Sequence, residues 1–241
     1  MIRLVTTDCW DTILTINRSW DATFVSAAGR VFRSCDPSIT EGRIIAAFHE
    51  EDVEFSSALA RQLITIPLPI RLKNLAHYAG VPLSEDRLSE LRAAFEAAIF
   101  DPLPDLITGS DTFLAQVKAA HVKLCLISNT GWFSSRAITA ALRRRRLIRF
   151  FDHLVFSDEV GAAKPSRKIF DVAMAAMASD PSETIHIGNR LNTDIEGALN
   201  AGIHAVHFHP HGRCDGAESS CASDYNQVWS ILRTHYGLCA P

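Results

Sequence analysis

At 241 residues the chain has room for one large α/β domain or for a core domain carrying a smaller insert. Its composition, 47% hydrophobic and 21% charged, is that of an ordinary globular protein and excludes a disordered or collagen-like chain. A formal net charge of -3 excludes general attraction to nucleic acid or an anionic membrane, because both need a concentrated positive field.

In chain order, residues 2–7 form a short apolar, β-branched run that ends at Asp8 and reads as a buried strand. Met1-Ile2-Arg3-Leu4-Val5 enters that strand without a charged leader, and no apolar run reaches the ~18 residues of a membrane span. A cytoplasmic protein with no membrane partner is therefore expected. Helical patterns follow at 19–34, 40–63, 68–79 and 84–99, punctuated by Asp36-Pro37, Pro67, Pro69, Gly80, Pro82 and Asp101-Pro102, with Ser84 as an N-cap. Their apolar positions, among them Phe48, Phe55, Leu59, Leu63, Leu72, Leu75, Leu88, Leu91 and Phe95, are spaced for packing into a bundle. A helical block of roughly 80 residues is too long for a connection and predicts a second domain over 18–100.

The remainder alternates. Strands are expected at 122–127, 153–156, 184–187 and 203–208, and helices at 109–120, 132–146, 166–178 and 193–201. Such alternation implies right-handed crossovers and a doubly wound parallel sheet, so residues 1–17 and 101–241 form a Rossmann-like α/β core. Residues 210–222 read as a polar loop and 224–234 as a closing helix. The run Arg143–Arg146 points its charges in four directions around a helix, which predicts a solvated end and no nucleic-acid partner. Six scattered cysteines, Cys9, Cys35, Cys125, Cys214, Cys221 and Cys239, read as reduced thiols, with Cys9 packed as a small side chain.

In an open parallel sheet ligands bind at the carboxyl ends of the strands. That rule singles out Asp8, then Ser128 and Asn129, then the loop leading to Lys164, then Gly188-Asn189 through Asp194. A carboxylate can attack phosphorus or an activated carbon to form a covalent intermediate that water later hydrolyses. Hydrogen-bond donors, a lysine and Mg²⁺ are the usual means of neutralising the charge that builds on a phosphoryl group. His204, His207, His209 and His211 with Cys214 and Cys221 are zinc-ligand types, but their spacing fits no standard site, and strand alternation turns His204 away from His207 and His209. Trp132 and Phe133, just past Asn129, are placed either to line an entrance or to pack.

Four segments in order, Asp8-Cys9-Trp10-Asp11-Thr12, Leu126-Ile127-Ser128-Asn129, Gly161-Ala162-Ala163-Lys164-Pro165 and Gly188-Asn189 with Asp194 and Gly197-Ala198, resemble the motifs of the haloacid dehalogenase-like hydrolases. The helical insert resembles that family's cap. The resemblance implies that Asp8 is the nucleophile and a metal ligand, that Thr12 supports it by hydrogen bonding, and that Ser128 and Asn129 bind the phosphate. It pairs Lys164 with Asp8 and the transferred group. Mg²⁺ would be held by Asp8, the backbone carbonyl of Trp10 and Asn189, with Asp194 in support. The implied activity is a Mg²⁺-dependent phosphatase acting on a small phosphorylated metabolite.

Two positions depart from the family's phosphatase form. Trp10 stands where a second Asp normally protonates the leaving group, and Asp11, one residue too late, points elsewhere. Loss of such an acid typically costs ~10²–10⁴ in rate. Asn189 replaces a metal-binding Asp, which predicts weaker Mg²⁺ binding. Trp10 also resembles the aromatic residue that metal-independent 2-haloacid dehalogenases carry, though the Gly188-Asn189 to Asp194 spacing follows the phosphatase form. The alternatives are thus such a dehalogenase, with Trp10 against the substrate, or a catalytically silent ligand-binding member.

Overall fold

The computed structural model describes residues 1–15, 20–210, 212 and 220–238. It separates into two compact units: Met1–Ile16 with Asp105–Asn129 and Leu142–Pro241, and Asn17–Pro104 with Thr130–Ala141.

The first unit is an α/β fold. Its strands β1 (Leu4–Thr7), β2 (Lys123–Ser128), β3 (His153–Phe156), β4 (Thr184–Gly188), β5 (His204–Phe208) and β6 (Cys221–Ala222) form one sheet in the order β3-β2-β1-β4-β5-β6, with every pairing parallel. All four residues of β1 are buried, as a central strand covered on both faces requires. One face packs Leu4, Cys125 and Ile127 against Ile169, Phe170, Ala173 and Ala198 from helices α8 (Arg167–Met177) and α9 (Glu196–Asn200). The other is covered by α5 (Ser110–Ala119) and α10 (Tyr225–Tyr236), where Phe113 and Phe208 each stack on Tyr225. The chain builds outward from β1 through β2 to β3 and then restarts at β4 on the other side. That reversal puts the topological switch point, where such sheets open a crevice, at the end of β1.

The second unit is helical: α1 (Trp20–Cys35), α2 (Glu41–Gln62), α3 (Leu68–Ala79) and α4 (Glu85–Ala98). Thr40 and Ser84 cap α2 and α4 by accepting from Arg43 N and Arg87 N, and Gly80 ends α3 in the left-handed conformation (φ 76°). Leu72, Leu75, Leu91 and Phe95 are buried, whereas Phe48, Phe55 and Leu59 are half-buried. Glu51, fully buried, occupies the core-facing position between Phe48 and Phe55 and pairs with the equally buried Arg71 of α3. The segment Thr130–Ala141, placed with the core from sequence, groups with this unit through Trp132, which packs on Phe24, Phe48 and Phe95. Trp132 is therefore a packing residue of the helical unit. It also covers one face of the Arg71 guanidinium at 3.7 Å, with Phe55 on the other at 4.0 Å.

Two expectations need correction. The polar stretch 210–222 contains the short strand β6, which continues the sheet beyond β5. Cys221 is disulfide-bonded, whereas Cys9, Cys35 and Cys125 are free thiols as expected. Spacing alone does not report which sulfurs approach within bonding range. His204 packs against Tyr236 while His207 and His209 stack together, the division that strand alternation predicts. His211 and Cys214 lie outside the described residues.

Candidate active site

Asp8 follows the last residue of β1 directly, and its backbone N–H is held by the Ile187 carbonyl at 2.9 Å. The chain then turns sharply. Ile13 N and Leu14 N both donate to the Cys9 carbonyl, Asp11 N donates to the Leu14 carbonyl at 2.7 Å, and Asp11 takes a left-handed φ of 53°. Aspartate tolerates that region better than most residues, so the turn suits its sequence. Trp10 is half-buried in this turn and bridges to Leu14.

At the centre is a buried lysine shared by two carboxylates. Lys164, 1% exposed, places Nζ 2.6 Å from Asp8 Oδ1 and 2.7 Å from Asp194 Oδ1. Burial alone would lower the Lys164 pKa, but Asp194 and Asp8 outweigh it and keep the ammonium protonated. Asp194 is also buried, yet Lys164 and His186 hold its carboxyl well below the usual range. Asp8 goes the other way: burial, reinforced by Asp194 and only partly offset by Lys164, pushes it up to about 6. The two acids are thus shifted in opposite directions, Asp194 down and Asp8 up, a separation typical of working sites.

Asp194 is fixed by local sequence. It sits in a π-helical turn, Leu191–Ile195, folded back over the end of β4, and its Oδ2 accepts from Arg190 N at 2.9 Å. A Cβ on Gly188 would lie 2.5 Å from the Asp194 Cβ and Cγ, so only glycine permits this return. A Cβ on Gly197 would meet the Pro165 Cα at 2.8 Å, which explains how α9 packs so tightly on the loop carrying Lys164.

The other expected residues are distributed unevenly. Ser128, fully buried at the end of β2, makes a long 3.3 Å contact to the Asn129 carbonyl. The Asn129 amide is bonded to the Lys164 backbone on both sides, Nδ2 donating to its carbonyl at 3.0 Å and Oδ1 accepting from its N–H at 2.8 Å. Thr12 Oγ1 is buried without a hydrogen-bond partner among the described residues; the carbonyl of Thr12 is the group that is held, by the Tyr225 hydroxyl at 2.5 Å. Asn189 Oδ1 is likewise buried and unpartnered, while its backbone carbonyl meets His207 Nε2 at 3.1 Å. Among the described residues no cluster of three His, Cys, Asp or Glu side chains is placed to hold a metal.

Two contributors escaped the sequence reading. His186, fully buried on β4, contacts Thr6 Oγ1 through Nδ1 at 2.9 Å and lies 3.7 Å from Asp194 Oδ1 through Nε2; burial lowers its pKa and keeps it neutral. It was legible only as a polar residue in an otherwise apolar strand. Tyr225, on the closing helix, carried no signal at all.

A family model for haloacid dehalogenase-like hydrolases matches residues 2–202. The chain belongs to that family. Among curated relatives, a glyceraldehyde 3-phosphate phosphatase from Methanothermobacter thermautotrophicus is 31% identical over 143 residues, covering 56% of this chain and 60% of the relative. The pyrimidine 5'-nucleotidase YjjG of Escherichia coli is 33% identical over 128 residues, 53% of each chain. This chain thus spans about half the length of the curated relatives it matches. Among solved structures, the HAD-hydrolase YfnB from Bacillus subtilis bound to magnesium superposes with a TM-score of 0.63 at 19% identity, covering 96% of this chain and 98% of its own. The fold of this hydrolase family member is therefore that of the family, and Tyr225 lies outside the residues that the family model matches.

Proposed function

We propose that the chain is a Mg²⁺-dependent phosphatase that acts on a small phosphorylated metabolite through an aspartyl-phosphate at Asp8. The observation that carries this reading is the shared lysine: Lys164 takes Asp8 Oδ1 and is itself braced by Asp194, leaving Oδ2 of Asp8 as the oxygen not held by the ammonium. That oxygen attacks phosphorus, the P–O bond to the leaving alcohol breaks, and water then hydrolyses the acyl phosphate to return Asp8 and inorganic phosphate. Lys164 neutralises charge on the transferred group, and Ser128 donates to it.

The residues fit a hard cation. Asn189 Oδ1 is a buried oxygen with no hydrogen-bond partner among the described residues, Asp8 supplies a carboxylate and Trp10 a backbone carbonyl. Both oxygens of Asp194 are already engaged, so it supports the site by holding Lys164. When bound, Mg²⁺ would supply charge neutralisation for the phosphoryl oxygens. With an amide in place of a carboxylate at 189, its affinity is weaker than usual for this chemistry.

Trp10 leaves the leaving group without a protonating side chain, so substrates with acidic leaving groups, acyl phosphates above all, are favoured. We assign substrate selection to the helical domain of residues 18–100 and catalysis to 1–17 and 101–241. Phosphorylated metabolites are charged and stay inside the cell, which makes the cytoplasm the proposed place of action.

The test is phosphate release from a panel of phosphoesters and acyl phosphates, with and without Mg²⁺. Release that needs Mg²⁺ and disappears in Asp8→Asn supports the reading; no release from any member of the panel overturns it. Trp10 motivates one competing outcome, halide release from short 2-haloacids that survives a chelator.

A further inference from the structure

We infer that Asn129 is a positioning residue for Lys164: its side-chain amide acts as a surrogate peptide that fixes the backbone from which the ammonium reaches Asp8 and Asp194. The inference rests on the phosphatase reading only in taking Lys164 as a group that meets the substrate. The family resemblance implies instead that Asn129 touches phosphate.

Lys164 lies in the loop between α7 (Ser157–Val160) and α8, where no strand pairs with it. A residue only 1% exposed must still satisfy its N–H and its carbonyl. Both are satisfied by one side chain, with Asn129 Oδ1 receiving the N–H at 2.8 Å and Nδ2 donating to the carbonyl at 3.0 Å. Among the described residues no other hydrogen bond reaches either group. The amide reproduces the two-way pairing that a neighbouring strand would give, and it extends from the first residue past β2, which is paired on both sides by β1 and β3.

A lysine side chain has four rotatable bonds, so where its ammonium sits depends on where its backbone is held. Here the ammonium must stand within hydrogen-bond reach of Asp8 and Asp194 at once. If Asn129 turned to a substrate, two buried backbone groups would lose their partners together. Asparagine is the side chain of this reach that offers one donor and one acceptor; an aspartate in its place would keep the acceptor and set a second acceptor against the Lys164 carbonyl.

The test measures the reactivity of the Lys164 amine with a small acylating reagent, followed residue by residue in the intact chain. In the native protein Lys164 is protected relative to exposed Lys73. In Asn129→Ala its acylation relative to Lys73 rises by at least about fivefold, the opening that accompanies loss of a hydrogen bond's stabilisation. Alkylation of the buried Cys125 thiol reports global unfolding and stays unchanged. Should Asn129→Ala also expose Cys125, Asn129→Asp takes its place and shows the same rise. An unchanged Lys164 rate in a folded variant overturns the inference. No substrate enters the measurement, so its failure is distinct from failure of the phosphatase reading.

Discussion

At the scale of single residues, the behaviour of the site follows from what surrounds Asp8. A nucleophilic carboxylate must be ionised, and burial raises this one to about 6. Below that value a proton competes with Mg²⁺ for the carboxylate, so the affinity for Mg²⁺ is expected to be level above pH 7 and to fall by about tenfold per pH unit below 6. A Mg²⁺ titration at a series of pH values checks this, and an affinity that begins to fall only near 4, the ordinary carboxyl value, would contradict it. Trp10→Asp restores the missing acid and is expected to raise turnover of alkyl phosphates by ~10²-fold or more, with a smaller gain on acyl phosphates, whose leaving groups need little protonation. Gly188→Ala tests the support of the site. Its methyl group would overlap the Asp194 side chain, so the variant is expected to lose ~1–3 kcal/mol of stability in urea denaturation, together with most activity.

At the scale of elements, α10 and the α2–α3 pair carry the testable packing. The Tyr225 hydroxyl is the donor to the Thr12 carbonyl, tying the last helix to the turn after Asp8. Tyr225→Phe leaves that carbonyl unsatisfied at a cost of ~1–3 kcal/mol, and denaturant titration alongside kcat measures whether the turn loosens. The strands β1 to β5 and the core helices were legible from alternation and came out within one turn of expectation, because period-2 and period-3.6 patterns report burial directly, whereas the two-residue β6 is too short to show a period. That Asp8, Lys164 and Asp194 come together was legible too, because the strand ends and the loops after them meet at the switch point of the sheet. The Glu51–Arg71 pair was not, since periodicity marks which face is inward but not which charges on two helices will meet. Nor were the partners of the Asn129 amide, which lie on a loop 35 residues away in sequence. Removing Arg71 would leave Glu51 buried and unpaired, so Arg71→Met is expected to cost ~3–5 kcal/mol, and adding Glu51→Leu should recover part of that loss.

At the scale of the whole molecule, the chain crosses between its two units after Ile16, Pro104, Asn129 and Ala141. One crossing falls immediately after Asn129, and another follows the segment that begins at Asp8, so the segments that carry Asp8 and hold Lys164 are also those that lead into the helical unit. Every residue assigned to Mg²⁺, namely Asp8, Trp10 and Asn189, belongs to the α/β unit together with the supporting Asp194, and the Arg71 network belongs wholly to the helical one. Two compact units of this kind need not melt as one, and a ligand stabilises only what it binds. Mg²⁺ at a hundred times its Kd should therefore stabilise the α/β unit by ~2.7 kcal/mol, which raises its calorimetric transition by several degrees. Arg71→Met should lower the helical transition and leave the Mg²⁺ shift intact. Asn189→Leu should do the reverse, removing the shift without touching the helical transition, whereas Asn189→Asp should produce the same shift at lower Mg²⁺, since a carboxylate adds the charge that the amide lacks. A Mg²⁺ shift that survives Asn189→Leu would place the cation elsewhere and leave the buried Asn189 oxygen without a ligand to explain it.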